Sequence, residues 1–458
     1  MQPSANPANR PDLPPAPPAP HAPAPLLRPG FGRRLGIALC LALLVAYGFI
    51  AFNLVRNPQT GGPEGYVRQT DFLIVLTGSA VLAEGRPQAL YDEQAQTAAQ
   101  ARLLRAVGRE PLRLLPFNHP PFEALLTRLL QLAGLSAPGI FAAWTLLSCG
   151  AIGLALAALH WAWPVPGAPG RLLTLAALSF FPLTGALLLG QSTPLILLGW
   201  AAGSAALRRG YGGWAGVALA LAAIKPQAVP VLLLALLLMR RWRTLLAWAA
   251  TIGAATLAVM PFLGADWPLR YLRFVLAVAA WPPSPALDPA FMQNWRGLFI
   301  RLFGDGSIAG GLAVAATVLS LALVVLLWAG PGPLRARGRH PGTAGWDRRW
   351  AMTLLIALLV NPHLLPHDLT PALVPAWMLA AAVLPAAPRG WIAWLWAGWV
   401  AGFVAMLYNS FVLSPAVVWL IATVALLVRH TLHQPTPTPA SSVPQALSTL
   451  PADSRPPR

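Results

Sequence analysis

Apolar runs long enough to cross a hydrocarbon core about 30 Å thick recur from one end of this chain to the other, and that pattern constrains the fold more than any single residue. They fall at 35–55, 138–160, 171–189, 191–207, 244–263, 307–330, 369–385, 390–408 and 412–428, with shorter runs at 212–224, 226–239 and 350–361. With 56% hydrophobic and 10% charged residues, the chain reads as an integral membrane protein. Segments bounded by lipid must satisfy their backbone polar groups internally, so the expected class is all-α and polytopic.

Arginines set the sidedness. Arg208-Arg209, Arg240-Arg241 with Arg243, and the group Arg335, Arg337, Arg339, Arg348 and Arg349 read as cytoplasmic. An even number of crossings must separate any two of these clusters. Between Arg209 and Arg240 that requires a pair of short helices turning at Lys225-Pro226-Gln227, with the turn below the outer surface in a wet or protein-covered cavity. Evenness also makes 121–134, which carries Glu123 and Arg128, an interfacial or re-entrant helix on the outer side. The count is about twelve spans with both termini inside. On this assignment the cytoplasmic face holds nineteen Arg against three acids, and the external face twelve Arg and Lys225 against eleven acids. The formal charge of +18 is therefore a positive-inside bias and argues against a nucleic-acid partner.

Residues 1–34, Pro/Ala-rich and ending in Arg33-Arg34, read as a disordered cytoplasmic tail, and the first helix as a retained anchor. The membrane domain is 35–429, with external loops at 56–137 and 264–306; 430–458 reads as a second disordered tail. Cys40 and Cys149 lie in different helices and form no disulfide framework. A single lysine among 32 basic residues, with abundant Ala and Pro, suggests a GC-rich bacterial genome. Trp161, Trp163, Trp214, Trp242, Trp350 and Trp391 fall near span ends, as interfacial anchors do, while Trp267, Trp281 and Trp295 stand where they could pack sugar or lipid.

The polar residues embedded in apolar sequence all sort to the external side. The loop 56–137 carries seven of the fourteen carboxylates. Among them Asp71 opens an expected amphipathic interfacial helix, either as an N-terminal acid favourable to the helix dipole or as a base facing a cavity. Lys225, at membrane depth, fits an anionic ligand such as phosphate better than a snorkelling ammonium. Gly190-Gln191 stands where one helix ends and the next begins, and Asn118-His119 precedes Pro120-Pro121. His363, His367 and Asp368 interrupt an apolar run; Pro366 spoils a shared helical face, so hydrogen bonding to phosphate or sugar ranks above a metal site.

The ordered set resembles glycosyltransferase family 87, membrane enzymes of the GT-C fold that include polyprenyl-phosphate-mannose-dependent mannosyltransferases. It comprises Asp71-Phe72, Gly85 with Tyr91-Asp92, Phe117-Asn118-His119-Pro120-Pro121, Gly190-Gln191, Lys225-Pro226 and Pro362-His363 through Asp368, across roughly 35–430. One departure is the absence of Tyr near Leu76 or Thr77, which bears on acceptor contacts. The resemblance implies inverting transfer of a hexose, such as mannose, from a polyprenyl-phosphate donor to a lipid or glycan acceptor. Asp71 would be the general base, and Lys225 with His363 or His367 would stabilise the departing phosphate. Gln191, Asn118, His119, Gln227, Asp368 and Tyr91 would bind substrate. No cofactor or metal is implied. The expected setting is a bacterial inner membrane, among its lipids, with the site on the periplasmic side. The rival readings are a transporter or flippase of a lipid-linked intermediate, and a structural subunit without activity.

Overall fold

The structure, a computed structural model, describes residues 31–110, 113–279, 281, 288–330, 341–383, 389–408 and 412–432. Arg335, Arg337, Arg339 and nearly all of both tails lie outside the described residues. Among the described residues there are nineteen α-helices and no strand, so the all-α polytopic class holds.

Six helices are long and apolar enough to span a membrane: α1 (Phe31–Arg56), α6 (Ala137–Ala162), α12 (Trp242–Leu263), α15 (Ser307–Ala329), α18 (Arg389–Leu407) and α19 (Pro415–Leu432). Outward rows such as Val45, Phe49, Leu246, Leu257, Val314 and Leu319 on three of them are exposed, as lipid-facing side chains are. The run at 171–189 is not one rod. It divides into α7 (Gly167–Leu178) and α8 (Phe181–Leu189), bent by 41°. Pro182, in the first turn of α8, has no N–H to continue the preceding helix. The other five crossings counted from the sequence are shorter pieces: α9 (Thr193–Arg208), α10 (Gly212–Ala220), α11 (Pro230–Leu238), α16 (Ala344–Leu359) and α17 (Leu373–Val383).

These short pieces form the core, packed around Trp200, Trp346, Trp350 and Trp377. Trp350 donates from Nε1 to Ser204 Oγ at 2.7 Å, and Trp163, also buried, lies beneath the Arg208 guanidinium. Neither is the interfacial anchor its sequence position suggests; Trp161, Trp214 and Trp242 are exposed. Trp267 is likewise buried, against Phe122, and is unavailable to sugar or lipid.

The first loop is helical: α2 (Gly62–Val67), α3 (Phe72–Ala83), α4 (Glu93–Arg105) and α5 (Phe122–Leu132). The expected amphipathic helix after Asp71 is instead α3, buried on most sides and packed closely on α5 at Gly78, whose missing side chain admits Phe117 and Ala124. Helix α5 turns Leu126, Leu129 and Leu132 out and several polar side chains in. Leu129 is 63% exposed, whereas Glu123 and Thr127 are buried and Gln131 accepts from Ser79. In the second loop, α13 (Trp267–Ala279) and α14 (Trp295–Phe303) show the same exposed apolar rows, at Leu269, Leu272 and Leu276 and at Leu302 and Phe303.

Helix α9 defines the two ends of the molecule. Its first residue, Thr193, bonds Asp368; its last, Arg208, pairs with Asp347 at 3.1 Å and donates to the Ala162 carbonyl. Sixteen residues separate the two clusters by about 24 Å at 1.5 Å per residue.

Candidate active site

Four broken or ended helices meet at the Thr193 end of α9. Helix α8 closes on Gly190 at φ +68°, where Gln191 N–H returns to the Ala186 carbonyl at 2.8 Å. A Cβ at Gly190 would lie 2.8 Å from both Phe72 and Phe141, so the glycine lets the start of α3 abut this turn. The Tyr66 hydroxyl ties the same stretch to the Leu188 carbonyl at 2.7 Å. These two anchors bring Asp71 to Gln191. Asp71 stands at the N-terminus of α3, where its charge favours the helix dipole, but its side chain makes no capping bond and turns to Gln191 instead.

The 212–238 hairpin is interrupted at 3-10 turns 221–224 and 226–228. Lys225 between them is extended (φ −118°, ψ 94°), as the residue before a proline tends to be. Asp368 sits in a 3-10 turn, 366–372, that precedes α17; Leu365 N–H donates to its Oδ2 at 3.2 Å.

The side chains join in one unbroken series. Gln191 Nε2 donates to Asp71 Oδ2 at 2.7 Å, Lys225 Nζ donates to Gln191 Oε1 at 2.9 Å and to Asp368 Oδ1 at 2.7 Å, and Thr193 Oγ1 donates to Asp368 Oδ1 at 3.0 Å. Lys225 and Asp368 are 7% and 5% exposed, so their charges persist there through each other. Asp71 is only half-buried. His367 Nε2 lies 3.6 Å from Asp368 Oδ2, too far for a hydrogen bond, and this buried nitrogen has no partner. His363 is in the loop just before the turn, held by its N–H to Asn361 Oδ1 at 3.0 Å; burial pushes its imidazole pKa down to about 4, against the opposing pull of Asp368.

His119 reaches the same neighbourhood from the other loop, within electrostatic range of His363. Its Nδ1 lies 2.5 Å from Glu123 Oε2. Tyr91 is not a wall of the site: it is buried, stacked on Phe117, and its hydroxyl braces the His119 carbonyl at 3.1 Å. Asn118 and Gln227 are half-buried and are not hydrogen-bonded to the series.

Sequence reasoning missed Glu123, Thr193 and Ser192. Burial would raise the Glu123 carboxyl, but the paired His119, then Ser192 and Lys225, bring it below its ordinary value. Its signal was available as the residue four after His119, one helical turn on. Thr193 and Ser192 look in sequence like ordinary helix-start residues, and only the fold reveals Asp368 as a partner.

Chemically, the arrangement offers an accessible carboxylate, a buried ammonium with one uncommitted proton and several imidazoles, all at one end of a helical bundle. The space lined by Thr193, Lys225, His363 and Asp368 is small, about 10 Å³, and a separate cavity of about 510 Å³ is lined by none of these side chains. The larger cavity has an apolar lining that includes Leu172, Leu373, Trp377 and Leu420.

No curated protein and no solved structure matches the chain. A family profile does, over residues 117–365, more than half of the length, and the matched span includes Gln191, Lys225 and His363. That match favours an enzyme over a transporter. The chain belongs to glycosyltransferase family 87 and is a multi-pass membrane glycosyltransferase.

Proposed function

We propose that the protein moves a sugar, a hexose such as mannose, from a polyprenyl-phosphate donor to a hydroxyl of a lipid or glycan acceptor, with inversion and with Asp71 as general base. The observation that carries this reading is the continuous series Asp71–Gln191–Lys225–Asp368. It gives two carboxylates different tasks. Asp368 commits its oxygens to Lys225, Thr193 and the Leu365 N–H and serves to hold the ammonium. Asp71 commits one oxygen to Gln191 and keeps the other for a proton from the acceptor.

As the anomeric C–O bond breaks, the phosphodiester becomes a monoester and gains negative charge. Preorganised donors count most where charge develops, and the remaining Lys225 proton with His363 or His367 would supply them. The apolar cavity lined by Leu172, Leu373 and Trp377 has the chemistry to take a prenyl chain. No metal is required by this scheme. The external, periplasmic placement follows from the arginine bias: the series lies at the end of α9 opposite Arg208 and Arg209.

The test is incubation of the purified chain with radiolabelled polyprenyl-phosphate sugars and membrane extract. Transfer of label from one of them to a new product supports the reading. Transfer only from nucleotide sugars, or none from any polyprenyl-phosphate sugar, overturns it.

A further inference from the structure

The chamber has a charge imbalance. Asp71, Asp368 and Glu123 bring three carboxylates together, and Lys225 answers them with one ammonium, two of whose protons already bond Gln191 and Asp368. A departing phosphate monoester, which carries up to two negative charges, would enter a net-negative site unless an imidazole is charged. His363 does not fill that role, because burial keeps it neutral near neutral pH.

His119 fits. Its Nδ1 faces Glu123 Oε2 at 2.5 Å, the short separation of a charge-assisted bond, which leaves Nε2 on the ring edge turned away from the carboxylate. The imidazole is 16% exposed and the carboxylate 1%. The backbone carrying the ring is braced from behind, by Tyr91 at the His119 carbonyl and by Gln96 Oε1 at the Phe117 N–H. The charged and titratable groups around the pair are Lys225 and His363 from the broken-helix side, and Tyr91 and Tyr271 from the first loop and α13; Arg270 acts on Tyr91. Ser192, at the N-terminus of α9, faces the same carboxylate and adds to the pull that holds it below its ordinary value.

We propose, resting on the donor class argued above, that His119 is the cation that receives the departing phosphate, and that Glu123 is the positioning residue that keeps its ring charged and oriented. In the step, the acceptor oxygen bonds the anomeric carbon as the anomeric C–O bond to phosphate breaks. The acceptor proton goes to Asp71, the electron pair leaves with the phosphate oxygen, and His119 Nε2 gives its proton to that phosphate. Water then takes the proton from Asp71 and returns one to His119.

The test has a sign that simple electrostatics does not share. Removing a carboxylate near an anion site should tighten anion binding, whereas Glu123→Gln should weaken it if Glu123 holds His119 charged. Farnesyl phosphate is titrated into the purified full chain in detergent, with farnesol as the uncharged control. Glu123→Gln and His119→Gln should each weaken farnesyl phosphate roughly tenfold, the size of one charge-assisted hydrogen bond. The double variant should lose no more than either single, and farnesol binding should not move. Unchanged or tighter binding by Glu123→Gln, or additive losses, overturns the inference. His119→Gln, which leaves the buried carboxylate in place, decides the matter if Glu123→Gln does not fold. If the wild-type chain does not discriminate farnesyl phosphate from farnesol, the phosphate donor itself is wrong and the pair falls with it.

Discussion

Lys225→Met should separate what the buried ammonium does for folding from what it does for catalysis. The substitution keeps the length of the side chain but leaves Asp368, 5% exposed, with only Thr193 Oγ1 at 3.0 Å and the Leu365 N–H at 3.2 Å. Breaking a buried pair by removing one partner costs about 3–5 kcal/mol, because the remaining charge is uncompensated. Replacing both partners, as in Lys225→Met with Asp368→Leu, should recover most of that stability. Catalysis should not recover, since one charge-assisted contact to phosphate is worth about 1.5–3 kcal/mol, or roughly ten- to a hundredfold in kcat/KM. The assay is thermal unfolding in detergent alongside initial rates against donor concentration, with the loss appearing chiefly as a raised KM for donor. A double variant that regains both stability and the wild-type donor dependence would show that Lys225 only neutralises Asp368. A stable, fully active Lys225→Met would refute the argument altogether.

Other outcomes follow from the same geometry. Gly190→Ala should cost about 1–3 kcal/mol from its left-handed backbone alone, with a clash against Phe72 and Phe141 added; wild-type unfolding behaviour would contradict the close approach of α3 to this turn. His363, down at about 4, gains a proton only in acid, so His363→Asn should leave the shape of the pH–rate profile near neutrality unchanged; a lost or shifted limb there would mean that His363 titrates at work. Transfer should survive EDTA, and loss restored by a divalent cation would overturn the metal-free scheme.

The parts of this protein legible in its sequence were those governed by the solvent on either side of it. Apolar runs and arginine clusters report directly on lipid and cytosol, and they sorted Asp71, Gln191, Lys225 and Asp368 to the end of α9 opposite Arg208. What escaped depends on contacts between segments far apart in the chain. The polarity of α5 is inverted relative to a soluble helix, so Glu123 looked like a surface charge when it faces inward. The burial of α3 on most sides reflects a covering by α4 and α5 that local periodicity does not encode. Trp350 resembles an interfacial tryptophan until Ser204 is found against its indole nitrogen. The bend between α7 and α8 lies within a run that is uniformly apolar, where hydropathy has nothing to report.

One rate comparison tests the account at its base. Asp71→Asn preserves the shape of the side chain and an oxygen for Gln191 Nε2, so the fold and the series through Lys225 should persist. With the proton acceptor gone, sugar transfer from a polyprenyl-phosphate donor should fall by about 10²–10⁴-fold while donor binding stays intact. A folded Asp71→Asn protein that transfers sugar near the wild-type rate would remove Asp71 as the base and leave the buried series without its catalytic end.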